Sequence, residues 1–199
     1  MVASRSELHY YKNGFNLVIQ KGFEGDETAV NQLVAQEGNL YDAVYGYALG
    51  NHHELVKKIL SKHPELTSAA ATGYAQAKNT QELVQFNKID ALKPYLIYGF
   101  SLAGDETQIR AALNSHHGIK YLPLIIEGLA STNQSSLLFE IVANTRYFPN
   151  AIKAAAKSGH QNLVNDLLEK LSIDIKTLKN SKTPLSLTTK TTLGYALEG

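Results

Sequence analysis

The chain has 199 residues, of which 19 are Lys or Arg and 18 are Asp or Glu, so its net charge is +1. This near-neutral balance argues against a protein that binds nucleic acid or a membrane surface through bulk electrostatics. Because the sequence contains no cysteine, disulfides, thiolate nucleophiles and cysteine-bound zinc are excluded. No run of about 18 apolar residues is present, and the N-terminal sequence lacks the apolar stretch of a secretory signal. We therefore expect a cytoplasmic protein without membrane insertion.

Residues 1–14 are predicted to form an N-terminal lead-in or cap, and a repeat with a period near 27 residues follows them. Each repeat contains a glycine, then a large apolar residue and usually a small one. This tripeptide occurs at positions 46, 73, 99, 128 and 194, and looser copies begin at Gly22 and Ala154. A second phrase follows every copy except the one at 194, so residues 15–171 are predicted to contain six repeats.

Both phrases of the repeat have the apolar spacing of a helix. In the first phrase, small or apolar residues at −3, −2, 0, +1 and +2 from the glycine fall on one broad face. A glycine inside a helix costs about 1 kcal/mol relative to alanine, so its recurrence predicts that helices approach closely there. The second phrase begins with residues such as Asp, Asn or Thr, which cap helices. No strand pattern is present, so the sequence predicts an all-α stack of helix-turn-helix units.

The sixth repeat resembles an ankyrin repeat. Its sequence at 155–170, AAKSGHQNLVNDLLEK, follows the pattern A-A-x-x-G-H-x-x-V-V-x-x-L-L, and Thr183-Pro184-Leu185 stands where the next T-P-L-H would begin. The match is tightest over 155–187, and residues 50–60 fit with one extra residue. The resemblance implies a divergent ankyrin-repeat protein that folds as a right-handed α-solenoid. Long divergent arrays of this kind are similar to the interaction segments of bacterial secreted effectors.

Two departures from the ankyrin pattern affect the predicted loops. The middle repeats have about 27 residues where ankyrin repeats have 33, and they lack T-P-L-H. Their β-hairpin fingers should therefore be shortened to plain loops, and Ser186 stands where the family has histidine. Residues 172–199 are predicted to form a loop or finger followed by a C-terminal capping helix.

The histidines do not have the spacing of a metal site. His52-His53 and His116-His117 are adjacent pairs, and neighbours on a helix do not face the same way. We expect both pairs in solvated loops. His160 occupies a turn of the repeat, where a structural role is expected.

Paired carboxylates also have a structural interpretation. The GDET sequences at 25–28 and 104–107 both stand at the start of a second helix. There Asp caps the helix and Glu interacts favourably with its dipole. We therefore expect no catalytic residue, no metal ion and no cofactor.

One face of the first helix differs between the repeats. The residue after each glycine is large and apolar, as at Tyr47 and Tyr74, and is assigned to the core. Positions −1 and +3 lie together on the opposite face and vary, so we expect that face to be exposed and to line a concave groove. Aromatic residues flanked by polar ones are typical of a protein-binding surface. The predicted partner-binding residues are Tyr45, Leu49, Thr72, Gln76, Tyr95, Tyr98 and Leu102.

These patterns favour a non-enzymatic protein–protein interaction module that binds its partner on the concave face. The partner is expected to be another protein, with no nucleic acid, and the chain is expected to be monomeric. One alternative is a regulatory or targeting segment of a larger protein, such as a bacterial effector delivered to a host cytosol. Another alternative is an enzyme whose site the known motifs do not reveal.

Overall fold

The computed structural model describes residues 17–36, 39–142 and 147–180, and within these ranges all regular structure is helical. The all-α prediction is therefore confirmed for this part of the chain. Two short 3₁₀ turns, Pro64–Leu66 and Asp90–Leu92, precede the third and fourth inner helices. The helices are α1 (Leu17–Glu24), α2 (Glu27–Gln36), α3 (Leu40–Leu49), α4 (His53–Leu60), α5 (Thr67–Gln76), α6 (Thr80–Phe86), α7 (Lys93–Leu102), α8 (Glu106–Leu113), α9 (Gly118–Ser131), α10 (Ser135–Ile141), α11 (Phe148–Lys157) and α12 (Gln161–Asn180).

The odd-numbered helices, here called inner helices, lie side by side in chain order. The even-numbered outer helices each pack against the inner helix that precedes them. The last outer helix, α12, continues through Asn180, where a loop was predicted to begin at residue 172. The predicted N-terminal lead-in at 1–14 and the remaining C-terminal region at 181–199 lie outside the described residues.

The repeated glycine marks direct contact between the backbones of neighbouring inner helices. A Cβ atom placed on Gly99 would lie 2.4 Å from the carbonyl oxygen of Thr72, and one on Gly73 would lie 2.6 Å from that of Tyr45. On Gly128 it would lie 2.5 Å from the Cβ of Ser101. The predicted close approach of helices is therefore confirmed. The turns that follow successive inner helices contact one another, as where Asn79 donates a hydrogen bond to Asn51, so these helices run in the same direction.

Each inner helix connects to its outer helix through a turn with one residue in the left-handed region. These residues are Gly25, Asn51, Lys78, Gly104, Asn133 and Gly159. Each lies five residues after the glycine or alanine of its repeat, except Gly25, which lies three residues after Gly22. The side chain of the next residue caps the outer helix in three repeats. Asp26, Asn79 and Asp105 accept hydrogen bonds from the backbone N–H groups of Ala29, Glu82 and Gln108. The structural interpretation of both GDET sequences is confirmed by these caps.

The residue after each glycine lies in the core in repeats two to five. Tyr47, Tyr74, Phe100 and Leu129 are all buried between an inner helix and its outer neighbours. The first copy differs, since Phe23 on α1 is 48% exposed. Phe23 stands two residues before the left-handed residue of its turn, Gly25, whereas each of the four buried residues stands four before its own. It therefore does not occupy the equivalent place on its helix.

Two of these core tyrosines are expected to respond oppositely to removal of the hydroxyl group. The buried Tyr47 hydroxyl has no hydrogen-bond partner in the described part of the chain, and burial raises the pKa of Tyr47 to about 12. The Tyr74 hydroxyl lies 3.1 Å from Nδ1 of His53. An unsatisfied buried group costs about 1–3 kcal/mol, whereas a satisfied one contributes about 1 kcal/mol.

We therefore expect Tyr47→Phe to raise the free energy of unfolding by about 1 kcal/mol and Tyr74→Phe to lower it by about 1 kcal/mol. Urea unfolding of the two variants beside the wild type measures both values. Since each change removes the same single oxygen, each variant serves as the control for the other. Equal destabilisation by both changes would contradict the conclusion that the buried Tyr47 hydroxyl lacks a hydrogen-bond partner among the described residues.

Candidate partner-binding surface

The seven residues predicted to bind a partner lie on three adjacent inner helices. Tyr45 and Leu49 are on α3, Thr72 and Gln76 are on α5, and the remaining three, Tyr95, Tyr98 and Leu102, are on α7. The structure brings α3 and α5 together at this face, because the Tyr45 hydroxyl forms a hydrogen bond with the side-chain oxygen of Gln76. Sequence reasoning therefore grouped these residues on neighbouring elements.

The expected exposure of this face is wrong for five of the seven residues. Tyr45 is 2% exposed and Tyr98 is 3% exposed, and Thr72, Tyr95 and Leu102 are buried as well. Only Leu49 and Gln76 are half-buried. The face therefore presents little of its aromatic surface.

The composition of the inner helices accounts for part of this burial. On α7 every residue from Tyr95 to Leu102 is buried. Apart from Gly99 and Ser101, all of these residues have apolar or aromatic side chains. A helix that is apolar on all sides is typically enclosed rather than amphipathic. The lack of polar residues in this segment is the sequence signal that could have indicated an enclosed helix.

The close spacing of the inner helices accounts for the rest. Because the glycines bring the backbones into contact, a tyrosine on one helix can span the surface of the next. Tyr45 reaches Gln76 in this way, and Tyr41 forms hydrogen bonds with Ser68 and Thr72. Burial raises the pKa of Tyr41 to about 12, although those hydrogen bonds act in the opposite direction. The small side chains of α5 leave room for these rings.

The inner helices are more open toward the C-terminal end of the described chain. Glu127 and Ser131 on α9 are half-buried, and Lys153 and Lys157 on α11 are exposed. These four occupy the same −1 and +3 positions as the buried residues of α3 and α7. We define the inner surface by its accessible residues at these positions, which are Leu49, Gln76, Glu127, Ser131, Lys153 and Lys157.

The histidines at the turns link consecutive repeats. His52 donates from Nε2 to the carbonyl oxygen of Phe23 at 2.9 Å, and His160 donates to that of Ser131 at 2.9 Å. The expectation that His52 and His53 are solvated is wrong, since both are half-buried and hydrogen-bonded. A group of His, Asp or Glu residues able to hold a metal ion is not found among the described residues.

Several exposed apolar residues were missed by sequence reasoning, and two of them lie close to the ends of the helices. Ile119 is 80% exposed and Ile89 is 45% exposed. Both lie near the connections between an outer helix and the next inner helix. An isoleucine next to a lysine, within a short connecting segment or just after it, is the sequence signal that could have identified them.

Comparison with known protein families, with curated proteins and with solved structures finds no match to this chain. Within the described ranges, no helix is both long and apolar enough to cross a membrane. The ankyrin resemblance therefore remains a prediction from the sequence, while the helical pairs are an observation.

Proposed function

We propose that this chain is a non-enzymatic, ankyrin-like module that binds another protein across its inner surface. The observation that carries the proposal is the glycine contact, which repeats with one register from α3 to α9. Backbones in such contact cannot slide without opening the core. A partner would therefore meet side chains in fixed positions, and little conformational entropy would be lost on binding.

The burial of the tyrosines changes the part they would have in binding. The buried rings would pack beneath the accessible residues and hold them in position, and they would not themselves contact the partner. These rings are Tyr45, Tyr95 and Tyr98. Among the accessible residues of this surface, Gln76 is half-buried and the lysines of α11, Lys153 and Lys157, are exposed. We propose that these groups make the partner contacts, together with Leu49.

Affinity capture with three forms of the chain tests this proposal. The inner-surface variant carries Gln76→Ala, Lys153→Glu and Lys157→Glu. The control variant carries the same types of change on exposed outer-helix positions, namely Gln85→Ala, Lys57→Glu and Lys170→Glu. Circular dichroism and thermal melting establish that both variants are folded.

We expect mass spectrometry to identify a protein that the wild type and the control variant capture and the inner-surface variant does not. The purified partner should then bind the inner-surface variant at least about tenfold more weakly, which corresponds to 1.4 kcal/mol. Equal capture by both variants, or no capture by the wild type, would refute binding through this surface.

A further inference from the structure

The two ends of the helical pairs form two different edges of the molecule. Since successive inner helices run in the same direction, all inner-to-outer turns lie at one edge, here called the turn edge. The described outer-to-inner connections, residues 61–66, 87–92 and 114–117, lie at the opposite edge. We define the loop edge as these three connections together with Lys93, Ile119 and Lys120.

The turn edge is acidic and its carboxylates are engaged within the chain. Asp26 and Asp105 cap helices. Glu27 pairs with Lys58, and Glu106 pairs with Arg110. These carboxylates stand near helix N-termini, where the dipole favours negative charge.

The loop edge is basic, and its few carboxylates are already paired. Asp90 lies 2.6 Å from Nζ of Lys93, and Glu65 lies 3.1 Å from Nδ1 of His63. The exposed lysines of the loop edge that have no acidic partner among the described residues are Lys62, Lys88 and Lys120. The loop edge therefore presents uncompensated positive charge, although the whole chain is nearly neutral.

The two exposed isoleucines belong to adjacent parts of the loop edge. The pKa of Asp90 is lowered, chiefly by the hydrogen bond from Lys93 and to a smaller extent by the nearby His117. Helices α7 and α9 pack side by side, so the connection that leads into α7 and contains Ile89 lies beside the one that leads into α9 and precedes Ile119. Each isoleucine is also next in sequence to a lysine, as Lys88-Ile89 and as Ile119-Lys120. An aliphatic side chain beside a cationic one therefore occurs twice along the loop edge.

We propose that the loop edge binds an acidic segment of a partner protein that also carries aliphatic side chains. The carboxylates of such a segment would meet Lys88 and Lys120, and its aliphatic groups would pack on Ile89 and Ile119. This inference goes beyond the proposed function, because it assigns a second surface and the chemistry of what binds there.

Two other occupants fit this edge less well. A nucleic acid would use the lysines and could stack a base on the exposed rings of His116 and His117. It would leave both isoleucines in contact with water, however, and the described loop edge has no arginine. A second copy of the chain would have to bind the basic loop edge through its own acidic turn edge. The turn-edge carboxylates described above are occupied by caps and ion pairs.

Fluorescence anisotropy with labelled peptides tests the inference directly. The probe is a short peptide of Glu, Ser and two Leu residues, compared with one in which Ser replaces Leu and one in which Gln replaces Glu. The loop-edge variants are Ile89→Ser/Ile119→Ser and Lys88→Gln/Lys120→Gln. Val84→Ser, which changes an exposed apolar residue on α6, and Lys57→Gln on α4 are the matched controls.

We expect each double variant to bind the acidic Leu peptide at least about tenfold more weakly than the wild type, and both controls to bind it normally. Affinity should also fall as salt is added, because salt screens exposed charges. The Ser peptide and the Gln peptide should bind weakly to every form.

Several results would overturn the inference. One is that both loop-edge variants bind the acidic Leu peptide as tightly as the wild type, and another is that the wild type binds the Ser peptide as tightly as the Leu peptide. A third is that the wild type binds a labelled single-stranded RNA oligonucleotide more tightly than the Leu peptide. A fourth is that the wild type sediments as a dimer and the Lys88→Gln/Lys120→Gln variant does not. The inner-surface variant separates this inference from the proposed function. It should bind the acidic peptide as the wild type does, and loss of binding in that variant alone would assign the peptide to the inner surface instead.

Discussion

Replacing Gly99 with alanine is expected to destabilise the chain by about 3 kcal/mol, the upper end of the usual cost of overpacking. The new Cβ would stand 2.4 Å from the carbonyl oxygen of Thr72 and 2.7 Å from the Cβ of Ala75. Neither neighbour can rotate away, since one is backbone and the other is the first atom of a side chain. Alanine has the better helix propensity by about 1 kcal/mol, which offsets only part of this cost.

Lys153→Ala is the matched control for Gly99→Ala, because it also introduces alanine on an inner helix but at an exposed site. Its effect on the free energy of unfolding should stay within about 0.5 kcal/mol. Urea unfolding followed by circular dichroism measures both variants. If Gly99→Ala were as stable as the wild type, the inner helices would have to lie further apart than described, and the rigidity argued for partner binding would be lost.

The helical pairs and their contact point could be predicted because each repeat carries the same local information. A glycine is costly in a helix, so its recurrence at Gly73, Gly99 and Gly128 had to reflect contact between helices. The small residue two positions later has the same cause, since Ala48 and Ala75 meet the glycine of the next repeat. Comparison of repeats within one chain thus provides structural information without any homologue.

The exposure of the predicted binding face could not be derived in the same way. Helical periodicity distinguishes the two faces of a single helix. An inner helix, however, packs between two other inner helices, and the distance to these neighbours determines whether its side chains are buried. Variation between repeats, as from Tyr45 to Thr72 to Tyr98, was interpreted as freedom from packing. In the structure these residues are instead buried, and large side chains on one helix lie beside small ones on the next.

Helix α12 shows another limit of prediction from local sequence. Thr, Lys and Ser residues after position 171 favoured a loop, yet the helix continues through Asn180. The residues that precede this segment include Leu163, Leu167 and Leu171, which are buried against the last inner helix. Tertiary packing of that apolar stripe anchors the helix, and a weak local preference does not end it.

Tyr98→Ala is the change that distinguishes the two interpretations of the inner helices. If Tyr98 is as buried as described, truncation removes a ring at 3% exposure and should lower the free energy of unfolding by about 3–4 kcal/mol, as for other large aromatic residues in a core. If the residue were exposed, as its position on the variable face predicts, the change should be within about 0.5 kcal/mol. The two expectations differ by far more than the uncertainty of urea unfolding.

Ile119→Ala provides the comparison for Tyr98→Ala, because Ile119 is a large apolar residue that is 80% exposed. We expect it to be neutral within about 0.5 kcal/mol. A strongly destabilised Tyr98→Ala beside a neutral Ile119→Ala would mean that Tyr98 maintains the scaffold, whereas Ile119 at the loop edge is not needed for folding and is free to contact a partner. The opposite pattern would return Tyr98 to the binding surface, because a tyrosine whose loss does not affect folding is free to contact a partner.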